Sequence, residues 1–362
     1  MPAPAFTATK WAWLTETEPA AARATAAVRL PHDYLTERLT GRGSTDRGDA
    51  SGTGWWTPSP GAGRYDEEVL TAIGLDPVLL PEVVPPGSAA GTVRAGIGEL
   101  PLAAGAVVGA GTGDNMAAAL GLGLRPGQPA LSLGTSGTVY AVSRERPLPD
   151  PSGTVAGFAD ACGGWLPLAC TLNCTLAVDR IAALLRLDRE AVEPGGSAVL
   201  LPFLDGERTP HLPYASGLLH GLRHDTTPGQ VLQSAYDGAV FALLEALDRV
   251  LGAEGAGASP GSPADEPPIL LIGGGAQGTA WRETVRRLSG RPVQVPEASE
   301  LVALGAAAQA AGLLTGEDPR EVARRWGTDR GAYYEPVSEP DRAARSRLAA
   351  TLDGAAELLG RG

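Results

Sequence analysis

The chain has 362 residues, 43% of them hydrophobic, enough for two domains of ordinary size and too apolar for a disordered chain. A formal net charge of −12 speaks against a nucleic-acid or anionic-membrane partner, since both need a basic face. It leaves ATP open, because backbone N–H groups bind phosphate without side-chain charge. Lys10 is the single lysine, and the three cysteines are Cys162, Cys170 and Cys174. An odd cysteine count, no signal-peptide pattern and no apolar run of membrane-spanning length read as a reduced, cytoplasmic protein.

In chain order, residues 1–40 predict two helical pieces, the second opened by Pro31 and closed by Gly41. Residues 44–56 read as a loop rich in Gly, Ser, Thr and Asp, 65–73 as a short amphipathic helix, and 81–86 as extended. The apolar run 106–109 predicts a buried strand, and 116–123 a helix of small residues that lets another backbone approach closely. Residues 130–133 and 139–142 flank a Gly/Thr turn as a hairpin. A helix is expected over 170–187, with Cys170 and Cys174 on one face as small core residues. A strand follows at 199–204. Thr227-Pro228-Gly229-Gln230 is a capping box opening a long helix. After a Gly/Ala/Ser/Pro-rich loop at 252–268 come a strand at 269–272, a helix through Trp281 and Leu288, a strand at 291–295 and a helix at 301–314. The tail from Asp318 reads as charged, helical and peripheral. This alternation is that of an α/β protein.

Three constellations carry chemistry. Asp114 follows the run Gly109-Ala110-Gly111-Thr112-Gly113, where a helix begins. A carboxylate there can take a hydroxyl proton during phosphoryl transfer, or can serve only as a helix N-cap. Gly134-Thr135-Ser136-Gly137-Thr138 offers close backbone approach and hydroxyl donors to an anion; an ordinary hairpin turn is the plainer alternative. Gly273-Gly274-Gly275-Ala276, between a strand and a helix, suits a purine or ribose, or simply tight packing. Glu207-Arg208 reads as a surface ion pair. The four histidines, His32, His211, His220 and His224, show no metal-ligand spacing and receive no catalytic role.

Taken together these residues are familiar: the chain resembles the FGGY carbohydrate kinases. Ser216-Gly217-Leu218-Leu219-His220-Gly221-Leu222, continuing to Gln230-Val231 and Ser234-Ala235-Tyr236-Asp237, fits that family's long second signature. Phe6-Thr7-Ala8-Thr9-Lys10, Leu30-Pro31-His32-Asp33-Tyr34, Asp49-Ala50-Ser51-Gly52-Thr53 and Gly206-Glu207-Arg208-Thr209-Pro210 stand in the family's order, nearest to the branch acting on ketopentoses such as xylulose. The resemblance implies an actin-like (ribonuclease H-like) ATPase fold, two α/β domains around a cleft. It assigns 1–126 to an incomplete first domain carrying the base, 127–317 to the nucleotide-binding second domain, and 318–362 to a helical tail. It implies Asp114 as catalytic base, Gly134 and Thr135 as a phosphate turn, and Gly274, Gly275 and Thr279 as nucleotide contacts. ATP and Mg²⁺ are the implied cofactors, a small sugar the substrate, and a homodimer is compatible. Gluconate, glycerol and ribulose are alternative substrates. Family members open with an Asp-x-Gly-Thr turn that is not found here, so ~100 residues, about a small domain, are expected to precede the family position of Met1. A nucleotide-binding remnant without turnover is therefore the competing expectation.

Overall fold

The computed structural model describes residues 6–96, 102–252 and 266–360. Most of the loop expected at 252–268 falls outside them. Helices α1 (Thr7–Thr17) and α2 (Pro19–Ala24) are followed by α3 (Pro31–Thr40), which starts at a proline and stops at Gly41 in the left-handed region, φ 77°. Strand β1 (Ser44–Thr45) leads into α4 (Arg47–Ser51), inside the segment expected to be loop. The Asp46 side chain caps α4 by accepting from the Gly48 and Asp49 amides. The hairpin β2 (Trp56–Thr57) and β3 (Arg64–Tyr65), helix α5 (Glu67–Ala72), and strands β4 (Glu82–Val83), β5 (Ala89–Thr92) and β6 (Val107–Gly109) complete this part. Its core is small: Ala8, Trp11, Trp55, Leu70, Leu75 and Leu80.

The larger body begins with α6 (Asp114–Gly121) and a hairpin of β7 (Pro129–Leu133) and β8 (Gly137–Ala141). It continues through β9 (Ala156–Ala159), β10 (Trp165–Thr171), α7 (Thr175–Leu185), β11 (Val199–Leu201), β12 (Leu218–His220) and α8 (Pro228–Gly252). Then come β13 (Ile269–Ile272), α9 (Thr279–Ser289), β14 (Val293–Pro296), α10 (Leu301–Thr315), α11 (Pro319–Trp326), β15 (Gly331–Tyr334) and α12 (Arg342–Leu359). Seven strands form one sheet in the order β15-β14-β13-β7-β8-β10-β9, in which β14, β13 and β7 run parallel and the remaining pairs antiparallel. An antiparallel triplet continued by two parallel strands, with helices on both faces, is the sheet of an actin-like, ribonuclease H-like ATPase unit.

Strand alternation feeds both faces. Leu131, Leu133, Val139, Ala141, Ile269 and Leu271 pack under α7, α8 and α9. Ala130, Tyr140, Val142 and Leu270 pack under α6, α10 and α11. The expected division at 126/127 leaves α6 with the first segment, yet its Met116, Ala119 and Leu120 share the core of the sheet. The small residues of α6 do what their size allows: a methyl on Gly121 or Gly305 would collide with the backbone of Leu301 or Ala117, so α6 and α10 cross backbone to backbone.

Three expectations need correction. The apolar run at 106–109 gives the short strand β6, but Val107 is exposed, so the strand is not buried. The run at 170 is the end of strand β10, and α7 starts only at Thr175, so Cys170 and Cys174 share no helix face. β10 is buried between two layers, so its run of Leu, Ala and Cys carries no period-2 signal. The tail is not peripheral either. β15 extends the main sheet, Val322 and Ala323 enter its core, and Leu348 and Leu359 pack beside Phe203 and Phe241. Its many arginines dilute the apolar stripe in the sequence, although some of them reach inward, as Arg345 does to Glu245 of α8. No helix among the described residues is long and apolar enough to cross a membrane.

Candidate active site

Asp114 is the first residue of α6, and Gly113 occupies the N-cap without a side chain to contribute. The carboxylate is therefore not the cap. It is exposed, and Oδ1 accepts from the Asn115 amide at 2.7 Å and from Asn115 Nδ2 at 3.0 Å. Asp114 and Asn115 form one wall of a cavity of about 480 Å³. Ser132, Tyr140 and Gly273 at the sheet, and Glu300 before α10, close other sides.

Parallel strands β7 and β13 end at the same edge of the sheet, where ligands of open α/β sheets bind. The two glycine bends leave from that edge and touch. Gly273 has φ 83°, and a methyl there would stand 2.9 Å from the Leu133 carbonyl oxygen. A methyl on Gly275 would meet Leu133 Cβ at 2.8 Å and Thr175 Cγ2 at 2.9 Å. Thr175 in turn anchors the Gly134 carbonyl, donating from its hydroxyl at 2.8 Å and its amide at 3.1 Å. Thr135 and Gly274 are exposed, and Gly274 has open space where a side chain would be. Thr279 is exposed at the start of α9, with its hydroxyl accepting from Arg282 Nη2 at 3.1 Å. The wall of the Asp114 cavity includes Gly273, while Gly134, Thr135, Gly274, Gly275 and Thr279 lie outside it, along the same edge.

Two side chains escaped the sequence reading. Tyr140 is buried in the cavity wall, and its hydroxyl has no hydrogen-bond partner among the described residues. Burial first, then the Asp114 charge, raises its pKa, so the group stays an O–H donor at neutral pH. Its trace in the sequence is one polar tip in the apolar run Val139-Tyr140-Ala141-Val142. Glu207 is the second. It is 1% exposed and forms no surface pair with Arg208. Its carboxylate accepts from the amides of Leu172 (2.6 Å), Asn173 (3.2 Å) and Arg208 (2.7 Å) and from Asn173 Nδ2 (3.0 Å). It thereby braces the β10–α7 connection beside the Gly134 turn. Its neighbour Thr209 donates to the Cys170 carbonyl at 2.7 Å.

Residues 1–121 match the N-terminal domain and 130–313 the C-terminal domain of the FGGY family of carbohydrate kinases. This chain belongs to that family. The FGGY chain is 69% identical over 361 residues to the xylulose kinase of Streptomyces coelicolor, covering 100% of this chain and 72% of that protein. It is 70% identical over 362 residues to the xylulose kinase of Streptomyces rubiginosus, covering 100% and 73%. Among solved structures, the xylulose kinase of Bifidobacterium adolescentis superposes with a TM-score of 0.77 at 32% identity, covering 96% of this chain and 72% of that one.

Proposed function

We propose that this FGGY kinase transfers the γ-phosphoryl group of ATP to the terminal hydroxyl of D-xylulose, giving xylulose 5-phosphate and ADP. Identity of 69–70% along the whole chain to two proteins named xylulose kinase supports that sugar over gluconate, glycerol or ribulose. The observation that carries the chemistry is one cavity walled by an exposed carboxylate, Asp114, and by the glycine bend at the carboxyl end of β13.

In this reading Asp114 accepts the sugar hydroxyl proton as that oxygen bonds to phosphorus and the bond to the ADP oxygen breaks. Asn115, bonded to the same carboxylate, fixes its rotamer. Tyr140 contributes to the wall of the same cavity, with its hydroxyl buried. The Gly134-Thr135 turn offers its backbone amides and the Thr135 hydroxyl to the phosphates. Gly274, open on its outer side, leaves room for the ribose or purine against flat backbone, while buried Gly275 packs the bend onto Leu133. Thr279 stands at the α9 N-terminus as a polar contact. The exposed acids Asp114, Glu297 and Glu300 are spread around the cavity rather than gathered, which fits a Mg²⁺ ion held chiefly by the nucleotide phosphates. Bound there, the ion would neutralise charge developing on the transferred group. A cytoplasmic location agrees with three free cysteines.

A coupled ADP-release assay on the chain with a panel of sugars tests the proposal. Release that depends on D-xylulose and disappears in Asp114→Asn is expected. Xylulose-independent release, or equal turnover in the Asn variant, would reject it.

A further inference from the structure

Behind the loop that delivers Asp114 lies a group of charges that the phosphoryl transfer itself does not use. His32 and Asp33 come from the first turn of α3; Asp46 and Asp49 come from the cap and first turn of α4. His32 Nδ1 stands 3.1 Å from Asp33 Oδ1 and 3.0 Å from Asp49 Oδ2, and Nε2 stands 3.4 Å from Asp46 Oδ2. The other oxygens of the two most buried acids hold backbone. Asp33 Oδ2 accepts from the Leu30 amide at 3.3 Å, and Asp46 Oδ1 from Gly48 at 2.6 Å. Burial would lower the His32 pKa, but Asp33, Asp49 and Asp46 outweigh it and raise it to about 11. The acids favour the ring as an imidazolium at neutral pH, while burial and the Asp49 charge push the Asp46 carboxyl up to about 7.

The group is fitted against the turn before Asp114 with no slack. Gly111 sits at φ 78°, and a methyl there would stand 2.5 Å from His32 Nε2. A methyl on Gly113 would stand 2.7 Å from Asp49 Oδ1, and one on Gly48 2.5 Å from Thr112 Oγ1. From the opposite side Gln309 of α10 donates to the Gly111 carbonyl at 3.2 Å.

We propose that His32 is a positioning residue for phosphoryl transfer: held between Asp33, Asp46 and Asp49, it fixes the Gly111-Thr112-Gly113 turn and so aims the Asp114 carboxylate into the cavity. This rests on Asp114 being the base. A half-buried imidazole held between three acids on two helices makes a rigid seat, and the glycines let the turn lie directly on it. A misplacement of about 1 Å at the base is enough to cost about 10²-fold in rate.

The test compares His32→Gln, His32→Lys, Gly111→Ala and Asp114→Asn in the full chain, by steady-state kinetics with D-xylulose and thermal melts. His32→Gln is expected to lower kcat by about 10- to 100-fold with KM for ATP within about 2-fold. His32→Lys, which keeps the cation, should recover most of that loss. Gly111→Ala, which pushes on the ring from the turn side, should lower kcat in the same way. Unchanged kcat in His32→Gln, or a Lys variant no better than the Gln variant, overturns the proposal. Should the Gln variant fail to fold, full activity in Gly111→Ala overturns it. Turnover retained in Asp114→Asn refutes the base itself, a different failure, and removes the proposal with it.

Discussion

Asp114, at the start of α6, and Glu207, in a loop, are two carboxylates that each follow a glycine, and their surroundings are opposite. Asp114 is exposed, and among the described residues its hydrogen bonds come only from the adjacent Asn115. Glu207 is 1% exposed and gathers amides from the β10–α7 connection and from its own loop. A charge satisfied on every side holds structure, and its ionised state is already used up by donors. A charge left open to a cavity keeps its lone pairs for a proton. The difference separates the acid we propose as the base from the acid that braces, although each follows a glycine in the sequence.

The sharpest way to break this contrast is to remove each charge. Asp114→Asn should cost about 10²–10⁴ in kcat while moving stability by no more than about 0.5 kcal/mol, as for an exposed substitution. Kinetics and a melt on the same sample check both halves. Glu207→Ala should behave in reverse as regards folding. Each buried amide left without its acceptor costs about 1–3 kcal/mol, read from urea unfolding midpoints. A Glu207 variant as stable as the parent would show that the brace is not needed.

A third charge, the half-buried His32, sharpens the comparison through pH. The His32 pKa is raised from its ordinary 6.5 to about 11, so the folded chain binds a proton there that the unfolded chain has lost. Its contribution to stability is complete below about pH 6.5 and drains away as pH rises towards 11. Melting temperature should fall across that window, and His32→Gln should flatten the slope. The smallest effect belongs to the glycine bend. Gly275→Ala meets Leu133 and Thr175 and should cost about 1–3 kcal/mol, whereas Gly274→Ala meets nothing and should leave stability within about 0.5 kcal/mol, raising only KM for ATP.

Much of this was legible in the residues. Period and punctuation gave α3 with its Pro31 start and Gly41 stop, the β7–β8 hairpin and the Thr227–Gln230 capping box, whose reciprocal bonds are both 3.2 Å. Asp114 and the glycine bends stood out because glycine beside a polar residue is a local signal. What stayed hidden depends on distant neighbours. β10 is covered on both faces, so nothing alternates. Glu207 looks like any loop acid until the amides of residues 172 and 173 arrive from 35 and 34 positions away. His32 meets Asp46 and Asp49 only after α3 and α4 are brought together, and no spacing along the chain announces it.

The crossing of α6 with α10 has a mechanical consequence. Two helices that touch through Gly121 and Gly305 have no side chains between them to act as a bearing, so neither can slide along the other without lifting off. The start of α6 is thereby tied to α10 and, through Met116, Ala119 and Leu120, to the sheet. The turn ahead of it, pressed onto the imidazole ring and tied to Gln309, is held from both ends.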